Sequence, residues 1–124
     1  MTLHQISAQI AISLPEVTVT QPFGEGCKVF KVLDKVFMLQ FYLQGKAVIN
    51  LKVAPDHGAM LRDIYSYICT GWHMNKQHWI SVYENNQLDE PLIEDLVQNS
   101  YKLVVSKLKK AEKVRIDLLR TLEK

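Results

Sequence analysis

Cys69, His73 and His78 stand at the spacing C-x3-H-x4-H, side chains that could ligate a metal or form a thiol–imidazole pair. Zinc takes four tetrahedral ligands, and structural zinc sites use tighter paired spacings. His57 could be a fourth ligand only if the fold carried it there. Nucleophilic catalysis by Cys69 with His73 would further need an orienting acid and an oxyanion-binding loop. No acid stands near the pair in sequence, and no glycine-rich loop follows it. Gly24-x-Gly26 lacks the third glycine and the following helix of a dinucleotide-binding turn. The expectation is no catalytic residue, no metal and no cofactor. The rings of His73 and His78 are instead expected to hydrogen-bond the backbone of their own loop.

Binding chemistry is better represented. Lys28, Lys31 and Lys35 fall on one hairpin, where lysines can reach phosphates. They equally suit a solvated hairpin whose charges guard its edge. Trp79, Ser81 and Tyr83 alternate on a strand and are expected to face outward, near Lys46, Asn50 and Lys52. Aromatics among lysines make a platform for stacked bases or for a partner. The C-terminal tail or a second copy of the chain could cover the same surface.

These side chains need elements to hold them. Leu3, Ile6 and Ile10 repeat at helical spacing over residues 3–12, and Leu14-Pro15 ends that helix. Val17–Thr20, Lys28–Leu33, Val36–Tyr42 and Lys46–Val53 read as strands, with turns at Asp34-Lys35 and Gln44-Gly45. In the last of these, Ala47, Ile49, Leu51 and Val53 point one way, as in a sheet covered on one side only. A helix over Pro55–Tyr65 follows, with Met60, Leu61, Ile64 and Tyr65 as its apolar side. Residues 66–78 read as a connection and Trp79–Tyr83 as a strand. Asp89-Glu90-Pro91 opens a helix whose stripe Ile93, Val97, Tyr101, Val104, Leu108 and Ala111 could carry it to Leu122.

The order is therefore α-β(4)-α-β-α, an α+β domain with an antiparallel sheet of about five strands and helices packed on one face. Ile49, Leu51, Ile80, Val82, Val97, Val104 and Leu108 are expected in its core.

A chain of 124 residues fits one domain over 1–124 that buries a core without staples. The net charge of +2 implies no polyanion partner by itself. Its distribution is uneven. Residues 64–101 carry one lysine against five acids, and residues 102–124 carry eight Lys/Arg against three acids. That is the polarity a helix dipole favours, and it also makes a basic helical tail from about residue 109. Cys27 and Cys69 make no disulfide framework and read as small buried thiols. No leader or membrane span is evident, so the expected location is cytoplasmic.

Three segments resemble the MmcQ/YjbR family. The first is Leu14-Pro15-Glu16-Val17 with Pro22-Phe23-Gly24, continuing through Val29-Phe30-Lys31-Val32 and Lys35-Val36-Phe37. The second is Asn50-Leu51-Lys52 with Pro55. The third is His73-Met74-Asn75-Lys76-Gln77-His78-Trp79 with Ser100-Tyr101-Lys102-Leu103-Val104. The chain departs from the family pattern at Gln77, where arginine is usual, and at Thr70 and Trp72, where proline and tyrosine are typical.

The resemblance implies a small α+β domain of frataxin-like shape and a DNA-binding, double-wing function. DNA of little sequence preference would then be met by Lys28, Lys31, Lys35, Lys76, Lys102, Lys109 and Lys110. His73, Asn75, His78 and Trp79 would form a structural clasp. The alternative is a protein-interaction module, or a homodimer through the outer sheet face, with no nucleic-acid role. Neither reading calls for a small-molecule substrate or a membrane.

Overall fold

A computed structural model describes residues 1–122. Its elements are α1 (Leu3–Ile12), β1 (Val17–Thr20), β2 (Cys27–Val32), β3 (Lys35–Leu43), β4 (Lys46–Lys52), α2 (Pro55–Ile64), β5 (Ile68–Thr70), β6 (Trp79–Tyr83), α3 (Glu90–Val105) and α4 (Lys110–Leu122). All strands pair antiparallel in one open sheet of six, ordered β1-β2-β3-β4-β6-β5. The α+β expectation holds. The strand count is corrected from five to six, because β5 has three residues and shows no period of its own within the 66–78 connection.

Local chemistry sets the boundaries. Thr2 and Gln5 form a reciprocal capping box at the start of α1. Gln44 and Gly45 both adopt positive φ, 52° and 81°, as a two-residue type I′ hairpin requires between paired Leu43 and Lys46. Asp89 caps α3, with Pro91 in the first turn.

The helices cover one face of the sheet. Phe30, Met38, Ile49, Leu51, Ile80 and Val82 point into that side, and Ile93, Leu96, Val97, Tyr101 and Val104 of α3 meet them. A β-bulge lies between β2 and β3: Phe30 pairs with Met38 but Lys31 with Val36, so Phe37 is the extra residue. Phe37 is fully buried, edge-on to the Tyr101 ring with centroids 5.5 Å apart. Its displaced carbonyl accepts from Ser100 Oγ at 2.6 Å, and that hydroxyl in turn accepts from the Lys52 N–H at 2.8 Å. Tyr101 donates its hydroxyl to Pro15 O at 2.7 Å, tying α3 to the end of α1.

At the other end of the sheet, Gln40 Nε2 donates to His4 O and Ser7 Oγ, both at 2.8 Å, and docks α1 on β3. His4 Nε2 lies 3.0 Å from Val48 O; a carbonyl only accepts, so that nitrogen carries the proton. Burial lowers the His4 pKa against smaller opposing effects from Val48 O and Glu84.

Several expectations need correction. The C-terminal stripe is not one helix, since the chain turns after Ser106 and restarts as α4. A straight helix over 90–122 would be about 50 Å long, more than a domain of this size is across. The break brings Ile116 into the core and leaves Ala111 in solvent. On α2, Met60 and Ile64 are exposed, and Leu61 with Gly58 makes the packed side. Gly58 leaves no room there, since a Cβ would come within 2.9 Å of Val53. Cys69 is exposed and Cys27 only half-buried, so neither is the buried thiol expected. No helix among the described residues is long and apolar enough to cross a membrane.

Two predictions follow from the packing. Ser100→Ala removes the partner of the bulged carbonyl and of the Lys52 N–H, and should cost about 1–3 kcal/mol in denaturant unfolding. An unchanged midpoint would show that the bulge stands without it. For His4 the unfolded chain takes up a proton first as pH falls. The stability contributed by its neutral ring is therefore complete above the ordinary value of 6.5 and declines below it. In His4→Gln, which keeps an N–H for Val48 O, the drop in melting temperature from pH 7.5 to about 5.5 should shrink.

Candidate binding face on the sheet

The face turned away from the helices is not open, which corrects the one-sided sheet expected from residues 46–53. Val48, Asn50 and Ser81 point to it, and all three are buried. The cover is the segment between β5 and β6, residues 71–78, folded back across the sheet. Asn50 and Ser81 are direct cross-strand neighbours on β4 and β6. Ser81 Oγ donates to Asn50 Oδ1 at 2.5 Å and accepts from the Trp72 N–H at 2.8 Å. Asn50 Nδ2 donates to Trp72 O at 3.0 Å. Both polar groups of the Trp72 residue backbone are thus held by two buried side chains.

The segment has its own internal ties. Gly71 donates to Trp79 O at 2.9 Å, and a Cβ at Gly71 would lie 2.6 Å from that of Trp79, so only glycine fits. His73 takes a left-handed φ of 57°. Asn75 Oδ1 accepts from the N–H groups of Gln77 and His78 at 2.9 and 3.2 Å, an Asx turn. The clasp is therefore made by Asn75 and the Trp72 backbone. The rings of His73 and His78 make no hydrogen bond among the described residues, contrary to expectation; His78 contributes its carbonyl to the Val53 N–H.

The result is an aromatic stack on the sheet. The Trp72 ring lies tilted on Phe41 at 5.4 Å, and the His73 ring stacks on Trp72 at 3.7 Å between centroids. Trp72 keeps 40% of its surface exposed, while Trp79 and Tyr83 are half-buried. Trp79 sits directly across from Lys52, Ser81 from Asn50 and Tyr83 from Val48. The platform expected from Trp79, Ser81 and Tyr83 is therefore shifted: Ser81 is structural, and Trp72 supplies the exposed ring. Burial pushes the Tyr83 phenol and the Cys27 thiol up, so both stay protonated at neutral pH.

The lysines divide between the faces. Lys31 follows core-facing Phe30, Lys52 follows core-facing Leu51, and Lys46 precedes core-facing Ala47, so all three point to the face that carries the segment. Lys76 is exposed within the segment itself. Lys28, three residues before Lys31, points to the helix side and lines a cleft of about 490 Å³ with His4, Glu25, Gln40 and Tyr42. Lys35 pairs with core-facing Val32 at the hairpin's end. The three hairpin lysines thus share no single face. Lys102 lines a hollow of about 260 Å³ with His57 and Asn99, and Lys109 and Lys110 lie at the α3–α4 turn. No residue of any strand, and none of 71–78, is acidic.

No group of three His, Cys, Asp or Glu among the described residues is placed to hold a metal. Sequence reasoning reached Asn50 and Lys52 through strand alternation but passed over Trp72 and Phe41. The available signal was a glycine followed by tryptophan in an otherwise polar loop.

Comparison with known proteins gives a consistent picture. The YjbR family model matches residues 12–103. The uncharacterized protein YbdF of Escherichia coli O157:H7 is 42% identical over 115 residues, 93% of this chain and 94% of its own. The uncharacterized protein YjbR of Escherichia coli strain K12 is 32% identical over 78 residues, 63% of this chain and 66% of its own. A crystal structure of a Deinococcus radiodurans protein with the family-model domain DUF419 superposes with a TM-score of 0.79 at 33% identity, covering 88% of this chain and 83% of that one. A Pseudomonas syringae protein superposes with a TM-score of 0.71 at 28% identity, covering 84% and 99%.

Asn50→Ala should leave Trp72 O and the Ser81 hydroxyl without these partners, at a cost of about 1–3 kcal/mol. Trp72 and Trp79 are the two tryptophans of the chain, and both belong to this face, so the emission maximum should shift red as the segment lifts. A mutant with wild-type melting and emission would show that the network does not hold the segment.

Proposed function

The chain belongs to the YjbR family, and on that premise we propose that it is a non-enzymatic module that binds nucleic acid through the sheet face bearing residues 71–78. One observation carries the reading. The face presents Lys31, Lys52 and Lys76 around the Trp72–His73 stack, with no acid in any strand or in the segment, while Lys46 at its edge shares a hollow with Glu84. Phosphates are attracted to lysines that have no neighbouring carboxylate, and unpaired bases stack on exposed rings whatever their sequence. The polar side chains nearest the stack, Asn50, Ser81 and Asn75, are engaged in holding backbone. That arrangement suits a rigid binding surface.

DNA is the partner that the family resemblance suggests, and sequence preference should be low. Specific reading relies on side chains carried into the major groove. The helix basic enough to do so, α4, is anchored through Ile116 and through the Arg115–Glu16 ion pair of 2.9 Å.

Binding to a labelled oligonucleotide should weaken steeply with salt. Replacing Lys31, Lys52 and Lys76 together by Ala should reduce the slope of log affinity against log salt by about two to three units. Replacing Lys28 and Lys35, which point elsewhere, should change it less. Stacking should quench tryptophan emission, and Trp72→Ala should remove most of that quench. If neither duplex nor single strand binds micromolar protein at about 50 mM salt, the proposal fails, because non-specific binders are visible there.

A further inference from the structure

The last helix carries two apolar sides. Ile116 is fully buried and anchors α4 to the core, with Arg115 on Glu16 and the Arg120 guanidinium carbon 5.8 Å from the centre of the Tyr101 ring. A surface helix held in this way normally turns charges to water. Here Ala111, Val114, Leu118 and Leu122 are spaced to share the side roughly opposite Ile116. All four are exposed, Val114 at 50%, Leu118 at 61% and Leu122 at 78%. The packing of the fold does not require this stripe, and leaving it in water has a hydrophobic cost.

One flank of the stripe carries charges of both signs. Lys110 and Asp117 are seven residues apart, two helical turns, and so lie on the same flank with opposite signs. In an antiparallel pair of such helices related by a two-fold axis near Val114, Val114 meets its own copy. Ala111 then meets Leu118 of the other helix, small against large. On the flank, Lys110 of each chain meets Asp117 of the other. The stripe is thus complementary to itself in shape and, on the Lys110–Asp117 flank, in charge, while Arg115 on the other flank is paired with Glu16 of its own chain.

We propose that the outer side of α4 is a self-association surface, which pairs two copies of the chain antiparallel through Ala111, Val114 and Leu118 with reciprocal Lys110–Asp117 ion pairs. The two chains share only about nine residues of facing helix, too little for an obligate dimer by the usual sizes. The association is therefore weak and depends on concentration. It is independent of the nucleic-acid face, since Lys31, Lys52, Lys76 and Trp72 lie on the sheet. A dimer would present two such faces to one strand and raise its apparent affinity.

Sedimentation velocity from micromolar to near-millimolar protein tests this. The wild-type chain should move from monomer towards dimer mass as concentration rises. Leu118→Glu, at an exposed position, should keep its melting temperature and remain monomeric throughout. Asp117→Lys alone should weaken the dimer several-fold, and Lys110→Asp alone should do the same. Lys110→Asp with Asp117→Lys should restore it, because the swapped charges meet again. A wild-type chain that stays monomeric at every concentration overturns the proposal. So does a dimer that survives Leu118→Glu, or a double swap no better than the single reversals.

Discussion

The N–H and C=O of Trp72 are held from below by two side chains that would be costly to bury alone. Ser81 and Asn50 occupy the middle of the sheet, on neighbouring strands, with almost no access to water. A hydroxyl and a carboxamide in that position are destabilising unless they are bonded. Each satisfies the other, and the groups left over point at one loop residue. The arrangement of the second sheet face depends on this triangle. It places the Trp72 ring on Phe41, puts His73 on Trp72, and leads the chain into the Asx turn that returns it to β6. Gly71 lets the segment lie that close, where any larger residue would strike Trp79.

The two faces of the sheet solve different problems. The helix side buries most of the large apolar residues and uses the Phe37 bulge to turn two successive side chains, Phe37 and Met38, inward. The other side has one short loop for cover, too little to hide aromatics completely, so Trp72, Trp79 and Tyr83 stay partly in water. The acids lie in helices, turns and connections, while the strands carry lysine alone. Lys31 and Lys52 thus stand on strands of the face that carries the segment, with Lys76 in the segment itself. A binding surface built on strands keeps its geometry better than one built on a free loop.

The family match ends at residue 103, within α3, so α4 lies beyond it. The 115 residues that align with YbdF, 93% of this chain, reach further and into α4.

Strand alternation, turn residues and capping signals act over a few neighbours, and these were readable without a structure. Ile49, Leu51, Ile80 and Val82 are buried on one face as their period implies, Val97 and Val104 follow the helical stripe into the core, and Leu108 is buried from the turn after α3. Interactions between distant residues were not readable in this way. Nothing local marks Asn50 and Ser81 as partners, since they are 31 residues apart and meet only when β4 pairs with β6. No glycine or proline marks the break at Ser106; its local signs are only the Ser106 hydroxyl donating to Leu103 O and the Glu112 carboxylate accepting from the Lys109 N–H, while the restart buries Ile116. Periodicity also assigned Lys28, Lys31 and Lys35 to one hairpin correctly while saying nothing of the bulge and pairing that separate their faces. The sequence by itself thus determined the fold class, the core-facing residues of the strands and the family. The tertiary structure alone decided which polar groups are consumed in support and which aromatics and lysines remain to meet a partner, because burial depends on what crosses above a residue as well as on its neighbours in the chain.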